Sequence, residues 1–272
     1  CWSWSTAKHV LECPAEAHDQ RFRPIDCTDA MEMGTLMHAL ILEPETLDDR
    51  FGVAPSIVKG NGGWTWEGAD SVWRLKKEAD AALAGVMGDR FLVTKQLMDD
   101  LQQRCHQPRV HALANATETE LAMVGQIEGC AVKGKADMLT KGAIIDVKTT
   151  SDIKPAAIER AAYQRRWFGQ VWTYGELARQ AGFDVTQYGI IVVQAPRVSG
   201  SPLKLSSSRQ PRPSWRLVWL SDAAVEYGEN EARSVWRAIR DCEASKTWPD
   251  YDESEINPPR WARSAPVQDE AF

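Results

Sequence analysis

A mixed α/β fold, helical in its first half and built on a central sheet in its second, is what three features of this 272-residue chain indicate. Apolar residues recur at helical spacing before about residue 115. The period then shortens to two, broken by glycine-containing turns, up to Lys148. Beyond that point, helical stretches alternate with short apolar runs. The class is therefore α/β, or α+β: a helical N-terminal half followed by a central mixed sheet.

The elements follow in order. Residues 28–43 read as a helix: Thr28 or Asp29 can cap it, and Ala30, Met33, Met37, Leu40 and Ile41 form one stripe before Pro44. Phe51–Ala54 reads as a short strand and residues 60–66 as a loop. A helix from about Glu67 to Ala84, a strand near Phe91–Val93, and a helix over 95–115 broken at Pro108 come next. Glu120–Val124, Cys130–Thr140 and Ala143–Lys148 read as three strands. Residues 155–181 return to helix in one or two pieces. Tyr188–Gln194 and Trp215–Leu220 are strands, and Asp222–Ala244 is a long charged helix. The Pro- and Trp-rich tail from Ser245 is expected to wrap over the surface.

Composition narrows the class. Hydrophobic residues make up 43% and charged residues 26%, which excludes wholesale disorder. No apolar run approaches the roughly 18–20 residues of a membrane span. Cys1 to Val10 lack a basic-then-apolar signal pattern, so a cytoplasmic location is expected. No Met opens the chain, as in a trimmed chain or a fragment. The six cysteines, at 1, 13, 27, 105, 130 and 242, form no C-x-x-C pair and read as free thiols. Twelve tryptophans suit core and groove-lining positions, and some could stack on bases.

Residues 120–148 carry the chemistry. A two-residue turn at Lys141-Gly142 sets Asp137 directly opposite Asp146. A second at Glu128-Gly129 sets Glu120 opposite Asp137. The three acids then form one row across a meander, at Cβ spacings of ~4.5–5.5 Å that are unfavourable for like charges. A divalent cation resolves that conflict, because hard cations take oxygen ligands. Lys148, two residues beyond Asp146, shares its face and can orient a water or stabilise charge on a phosphate. A glycine bulge would slip the register by one, which keeps Glu118 as the alternative to Glu120.

Three motifs, Gly134-Lys135-Ala136-Asp137, Ile145-Asp146-Val147-Lys148-Thr149-Thr150 and Gln170-Val171-Trp172-Thr173-Tyr174, resemble the PD-(D/E)XK nuclease superfamily. The run Met33 to Pro44, together with Trp248-Pro249-Asp250-Tyr251 and Pro259-Arg260-Trp261-Ala262, resembles RecE-type (exonuclease VIII) domains in particular. Ala136 stands where the superfamily name has Pro; no ligand is lost by that. The resemblance implies one nuclease domain over 1–272 with a restriction-endonuclease-like core: 1–115 mainly helical, 116–220 the catalytic sheet, 221–272 a C-terminal helix and tail. It implies that Asp137, Asp146, the Val147 carbonyl, Glu120 and His38 hold Mg²⁺, with Mn²⁺ as a substitute. His38 is a metal ligand or a phosphate contact. Lys148 is the catalytic lysine, and Gln170 and Tyr174, four apart on one helix face, line the site. The implied activity is 5′-to-3′ degradation of linear duplex DNA, leaving 3′ single strands. The implied partners are DNA ends, an annealing protein of RecT type and further copies in a ring, in a bacterial or phage-infected cell and with no membrane.

DNA contact requires positive charge. Residues 196–216 hold Arg197, Lys204, Arg209, Arg212 and Arg216 with no acid, and read as a mobile basic loop. Arg160, Arg165 and Arg166 precede Gln170 and are further candidates. The net charge of -6 does not oppose this, since acids concentrate on the late helix (Glu226, Glu229, Glu231, Asp241, Glu243) and in the tail from Asp250 to Glu255. DNA binding is then expected to be local and salt-dependent. Competing readings are a CRISPR-adaptation or helicase-associated nuclease, a non-catalytic DNA-end-binding module, and a structural phage protein. The first often needs a four-cysteine iron–sulfur cluster, and only Cys242 lies downstream of the acidic strands.

Overall fold

A computed structural model describes residues 1–23, 27–200, 202–207 and 209–251. The chain opens with β1 (Trp2–Ser3), α1 (Trp4–Ala7) and α2 (Pro14–Gln20). Next come α3 (Asp29–Leu42), α4 (Leu47–Arg50), β2 (Phe51–Ala54), β3 (Ile57–Gly60), β4 (Gly63–Trp66), α5 (Lys76–Met87), β5 (Phe91–Thr94) and α6 (Lys95–Asn115). The sheet core follows: β6 (Ala116–Ile127), β7 (Cys130–Thr140), β8 (Gly142–Thr150), α7 (Pro155–Gln164), α8 (Trp167–Gln180) and β9 (Val185–Gln194). Last are β10 (Val198–Ser199), β11 (Lys204–Leu205), β12 (Trp215–Trp219) and α9 (Asp222–Ser245).

The central sheet runs β1-β7-β8-β9-β12, with β6 on the other edge of β7. It is mixed: β1 is parallel to β7 and β8 to β9, while the remaining pairs are antiparallel. Its apolar side chains feed two cores. One holds Ile144, Ile190 and Val192 with Trp172 of α8 and Trp236 of α9. The other holds Ile145, Val147 and Ile191 with Leu36 and Met37 of α3 and Leu97 and Leu101 of α6. β8 is thus covered on both faces, which explains its nearly unbroken apolar sequence.

Strand pairing around β7 positions the site. β6 lies along the whole of one edge, from Ile127↔Cys130 to Ala116↔Thr140. The other edge is shared. β8 pairs with it only at Met138↔Ile145 and Leu139↔Ile144, then diverges. β1 takes up the same edge further on, at Trp2↔Val132 and Ser3↔Lys133. Gly134 to Asp137 lie in the gap between them.

Several elements differ from the expectation. Residues 60–66 belong to the β3–β4 hairpin, because Gly60 and Gly63 can flank a tight turn and Trp64 bonds Trp73 in both directions. That extra bridge occupies the segment after Glu67 and delays α5 to Lys76. α6 runs unbroken through Pro108: the lost N–H donor is outweighed by burial of Leu97, Leu101, Cys105 and Ala112 on the same helix. β6 is longer than Glu120–Val124 and continues to Ala116 through a left-handed Glu120, φ 54°. In the segment 196–216 the described residues are pinned rather than loose. Leu203 is buried and exchanges backbone hydrogen bonds with β5 and Thr94, and Arg104 donates to the Pro211 carbonyl at 2.7 Å. Residues 155–181, expected as one or two helical pieces, form two, separated at a left-handed Arg166, φ 56°.

The start of the tail does lie over the N-terminal segment. The Trp248 ring lies tilted against His18 and Trp2, and the Pro249 carbonyl accepts from Ala15 N at 3.0 Å. The motif Pro259 to Ala262 and the acids beyond Tyr251 lie outside the described residues. Among the described residues, no helix is long and apolar enough to cross a membrane.

Candidate functional site

The register brings the acids together. Carried one residue beyond Met138↔Ile145, it sets Asp137 against Asp146 where β7 and β8 part. Between Leu121↔Ala136 and Thr119↔Met138, it sets Glu120 against Asp137. Glu118 is exposed and lines a different cavity, with Leu42 and Ala112, so Glu120 is the acid at the site. The left-handed backbone of Glu120 is costly for a non-glycine residue, and such outliers concentrate where side-chain placement matters.

α3 supplies His38. Gly34, one turn earlier, faces β8: a Cβ there would stand 3.5 Å from Thr149 Oγ1, an ordinary van der Waals contact. His38 Nδ1 is 2.9 Å from Glu120 Oε1, and Nε2 is 3.1 Å from Asp137 Oδ2. Burial opposes charge on this imidazole, but Asp137 and Glu120 outweigh it and hold the pKa up at about 10. His38 is therefore an imidazolium bridging two carboxylates. Asp137 Oδ2 also accepts from Val147 N at 2.7 Å. Burial pushes Asp137 up, yet His38, Lys148 and this backbone donor bring it below the usual range.

Asp146 has the opposite balance. Its side chain is 2% exposed, and burial raises its pKa to about 6, with Asp137 adding to the rise and Lys148 opposing it. Lys148 Nζ stands 2.6 Å from Oδ2, while Oδ1 is buried without a hydrogen-bond partner. An unpartnered buried carboxylate oxygen beside a second carboxylate fits a hard divalent cation. Asp137, Asp146 and the neighbouring Val147 could hold one. His38, Glu43 and Glu120 offer a further donor set, with ligand atoms within 4.8 Å of one another.

On α8, Gln170 Nε2 donates to Tyr174 Oη at 3.2 Å. Burial and the charge of Asp146 raise the Tyr174 phenol, so it stays a neutral donor. Gly134 makes room for it, since a Cβ at 134 would lie 2.8 Å from the ring.

Glu43 and Lys135 were not singled out in the sequence. Lys135 pairs with Glu120 and lies 3.6 Å from Glu43 Oε1. Glu43 follows His38 by five residues, a spacing that points away from it on a regular helix. The backbone leaves the helix at Glu43 (φ −133°, ψ 52°), which turns the carboxylate back toward the site. Its only signal was its place in the run Met33 to Pro44.

The basic residues are dispersed. A cavity of about 440 Å³ is lined by His38, Glu43, Glu120, Lys148, Thr149 and Arg165 among others. A second, of about 470 Å³, shares Thr149 and Arg165 and extends to Arg197. Arg166 is committed elsewhere, to Glu231 at 3.0 Å and Glu12 at 3.2 Å. Arg160 lines neither cavity. Lys204 lines a separate cavity with Lys76 and Lys95, and Arg216 another with Trp219; Arg209 and Arg212 are exposed.

A family described as a PDDEXK-like domain of unknown function (DUF3799) matches residues 3–256. A crystal structure of a "Putative exonuclease" from Eubacterium rectale has a similar fold, with a TM-score of 0.52. Its sequence identity is 11%, and the match covers 96% of this chain and 91% of that one. No curated protein matches the chain.

Proposed function

The chain belongs to this PDDEXK-like family, and so to the PD-(D/E)XK superfamily, and from that premise we propose that it is a divalent-metal-dependent nuclease that degrades linear double-stranded DNA from an end. The observation that carries the reading is the buried Asp146, with its unpartnered oxygen, set between Asp137 and Lys148 at the strand divergence. Asp137, Asp146 and the Val147 carbonyl would hold Mg²⁺, or Mn²⁺ in its place, with Glu120, His38 and Glu43 on its flank. Such an ion, when bound, supplies Lewis-acid polarisation of the phosphate and hydroxide at neutral pH.

The chain's own residues do the rest. With its carboxylate partner engaged elsewhere, the Lys148 ammonium orients the attacking water and stabilises charge on the phosphate oxygens. Tyr174 and Gln170 donate hydrogen bonds to the strand being cut. The two cavities share Thr149 and Arg165 and together reach from Lys148 to Arg197, and a phosphate backbone would lie along them. By resemblance, the direction is 5′-to-3′, the product is a 3′ single strand for an annealing protein of RecT type, and the protein works as a homo-oligomeric ring within the cytoplasm.

Linear duplexes labelled at the 5′ or the 3′ end, digested in parallel, test this. Mg²⁺-dependent shortening, abolished by EDTA and by Lys148→Ala, is expected, with early release of the 5′ label. DNA binding without cleavage in any divalent metal would instead identify an end-binding module.

A further inference from the structure

We infer that Arg166 and Glu231 are positioning residues: they clamp the start of α8 and thereby aim Gln170 and Tyr174 at the strand being cut. The inference deepens the nuclease reading above and rests on it. It starts from the corner between α7 and α8. Arg166 caps α8 there with a left-handed backbone, φ 56° and ψ 43°. A residue with a Cβ keeps that conformation only where its surroundings hold it. Its guanidinium is held between two acids, Glu231 Oε1 at 3.0 Å and Glu12 Oε1 at 3.2 Å. Its carbonyl accepts from Trp4 Nε1 at 3.1 Å and from Gln170 N at 3.3 Å. Gln170 is thus seated on the same oxygen that the buried Trp4 grips.

The rest of the first turn of α8 is packed as closely. A Cβ at Gly169 would run into the Trp4 ring and stand 2.8 Å from Glu231 Oε2. A Cβ at Gly228, one turn before Glu231 on α9, would stand 2.5 Å from the Phe168 carbonyl oxygen. Glycine at both places lets Trp4 and α9 close on α8. The Glu231 side chain is 5% exposed, so its charge depends on Arg166. A buried ion pair adds little net stability over an apolar pair, and its use here is to fix geometry. The geometry fixed is that of the helix bearing Gln170, whose side-chain amide donates to Tyr174 Oη at 3.2 Å. Arg166, a candidate DNA contact on sequence, acts through these two side chains instead.

The test uses the full chain and a linear duplex, with single-turnover cleavage in Mg²⁺ and with binding measured in Ca²⁺ across a salt series. Arg166→Met and Glu231→Gln are each expected to slow cleavage about 10- to 100-fold, the cost of a misplaced contact group. Gly169→Ala, which keeps both charges but pushes the first turn off Trp4, should do the same. Arg166→Lys should recover part of the rate, since an ammonium keeps an ion pair with Glu231. The slope of log Kd against log salt should match the parent in all four, because no phosphate contact is lost. The decisive readout is a double-mutant cycle. On a Gln170→Ala/Tyr174→Phe background, Arg166→Met and Glu231→Gln should slow cleavage no further. Effects that multiply on that background, or parent-like rates in folded Arg166→Met and Glu231→Gln, overturn the positioning role. A slope flattened by about 0.9 in Arg166→Met overturns it too, and makes Arg166 a phosphate contact. A parent protein that cuts no DNA in any divalent metal overturns the nuclease reading, and the positioning role with it.

Discussion

Replacing Asp146 by Asn is expected to stabilise the metal-free protein, yet to leave it less stable than the parent once Mg²⁺ is present. The cause is burial. The carboxyl is raised from 3.8 to about 6 in the folded chain. A group whose pKa is higher folded than unfolded favours folding while protonated, below about pH 4. That contribution is lost as pH rises through about 6. A gap of about two units, at 1.36 kcal/mol each, sets an upper bound of about 3 kcal/mol near pH 8. That bound already includes the attraction of Lys148; with partial relaxation of the surroundings, a net gain of about 1–2 kcal/mol is expected. For a chain of this size that is roughly 2–8 °C in unfolding temperature. Mg²⁺ at a hundredfold over its Kd adds about 2.7 kcal/mol to a form that binds it, and the Asn variant should bind it weakly. The order of stabilities therefore reverses. Thermal and urea unfolding from pH 4 to 8, in EDTA and in excess Mg²⁺, reads this directly. A variant less stable than the parent in EDTA at pH 8, or a difference that does not change with pH, would refute the reasoning.

Three further outcomes follow from other residues. Because His38 is held as an imidazolium, with its pKa at about 10, divalent metal binding that recruits its nitrogen should release about one proton near pH 7. Calorimetry in two buffers of different ionisation enthalpy measures it, and His38→Gln should abolish it. Gly134→Ala should force the Tyr174 ring out of place, with a loss of about 1–3 kcal/mol in stability and a fall in cleavage rate. Glu128 is held down at about 2 by hydrogen bonds from Arg237 and Arg233, a depressed acid whose contribution is present above about 4.5 and lost as pH falls through about 2. Glu128→Gln should cost up to about 1 kcal/mol at pH 7, shrinking in acid, by urea denaturation.

What the sequence conveyed depended on local signals. The β6–β7–β8 meander was legible because alternation and turn glycines fix a register, and Gly129 and Gly142 both adopt positive φ. Gln170 and Tyr174 were legible because an i, i+4 pair shares a helix face. β1 was not legible: two residues carry no period, and the partner strand lies some 130 residues away. Glu43 was hidden by the departure of its backbone from the helix. Pro108 misled because local propensity was overridden by the packing of a long helix.

The borrowed strand at the edge of β7 has a consequence for the order of assembly. The β6–β7 hairpin joins neighbours in sequence and can form early, whereas Trp2 must close a loop across nearly half the chain before it meets Val132. The N-terminal strap therefore docks late. A polypeptide still emerging or refolding would have its carboxylates in register before the N-terminal segment had taken up the free stretch of the β7 edge.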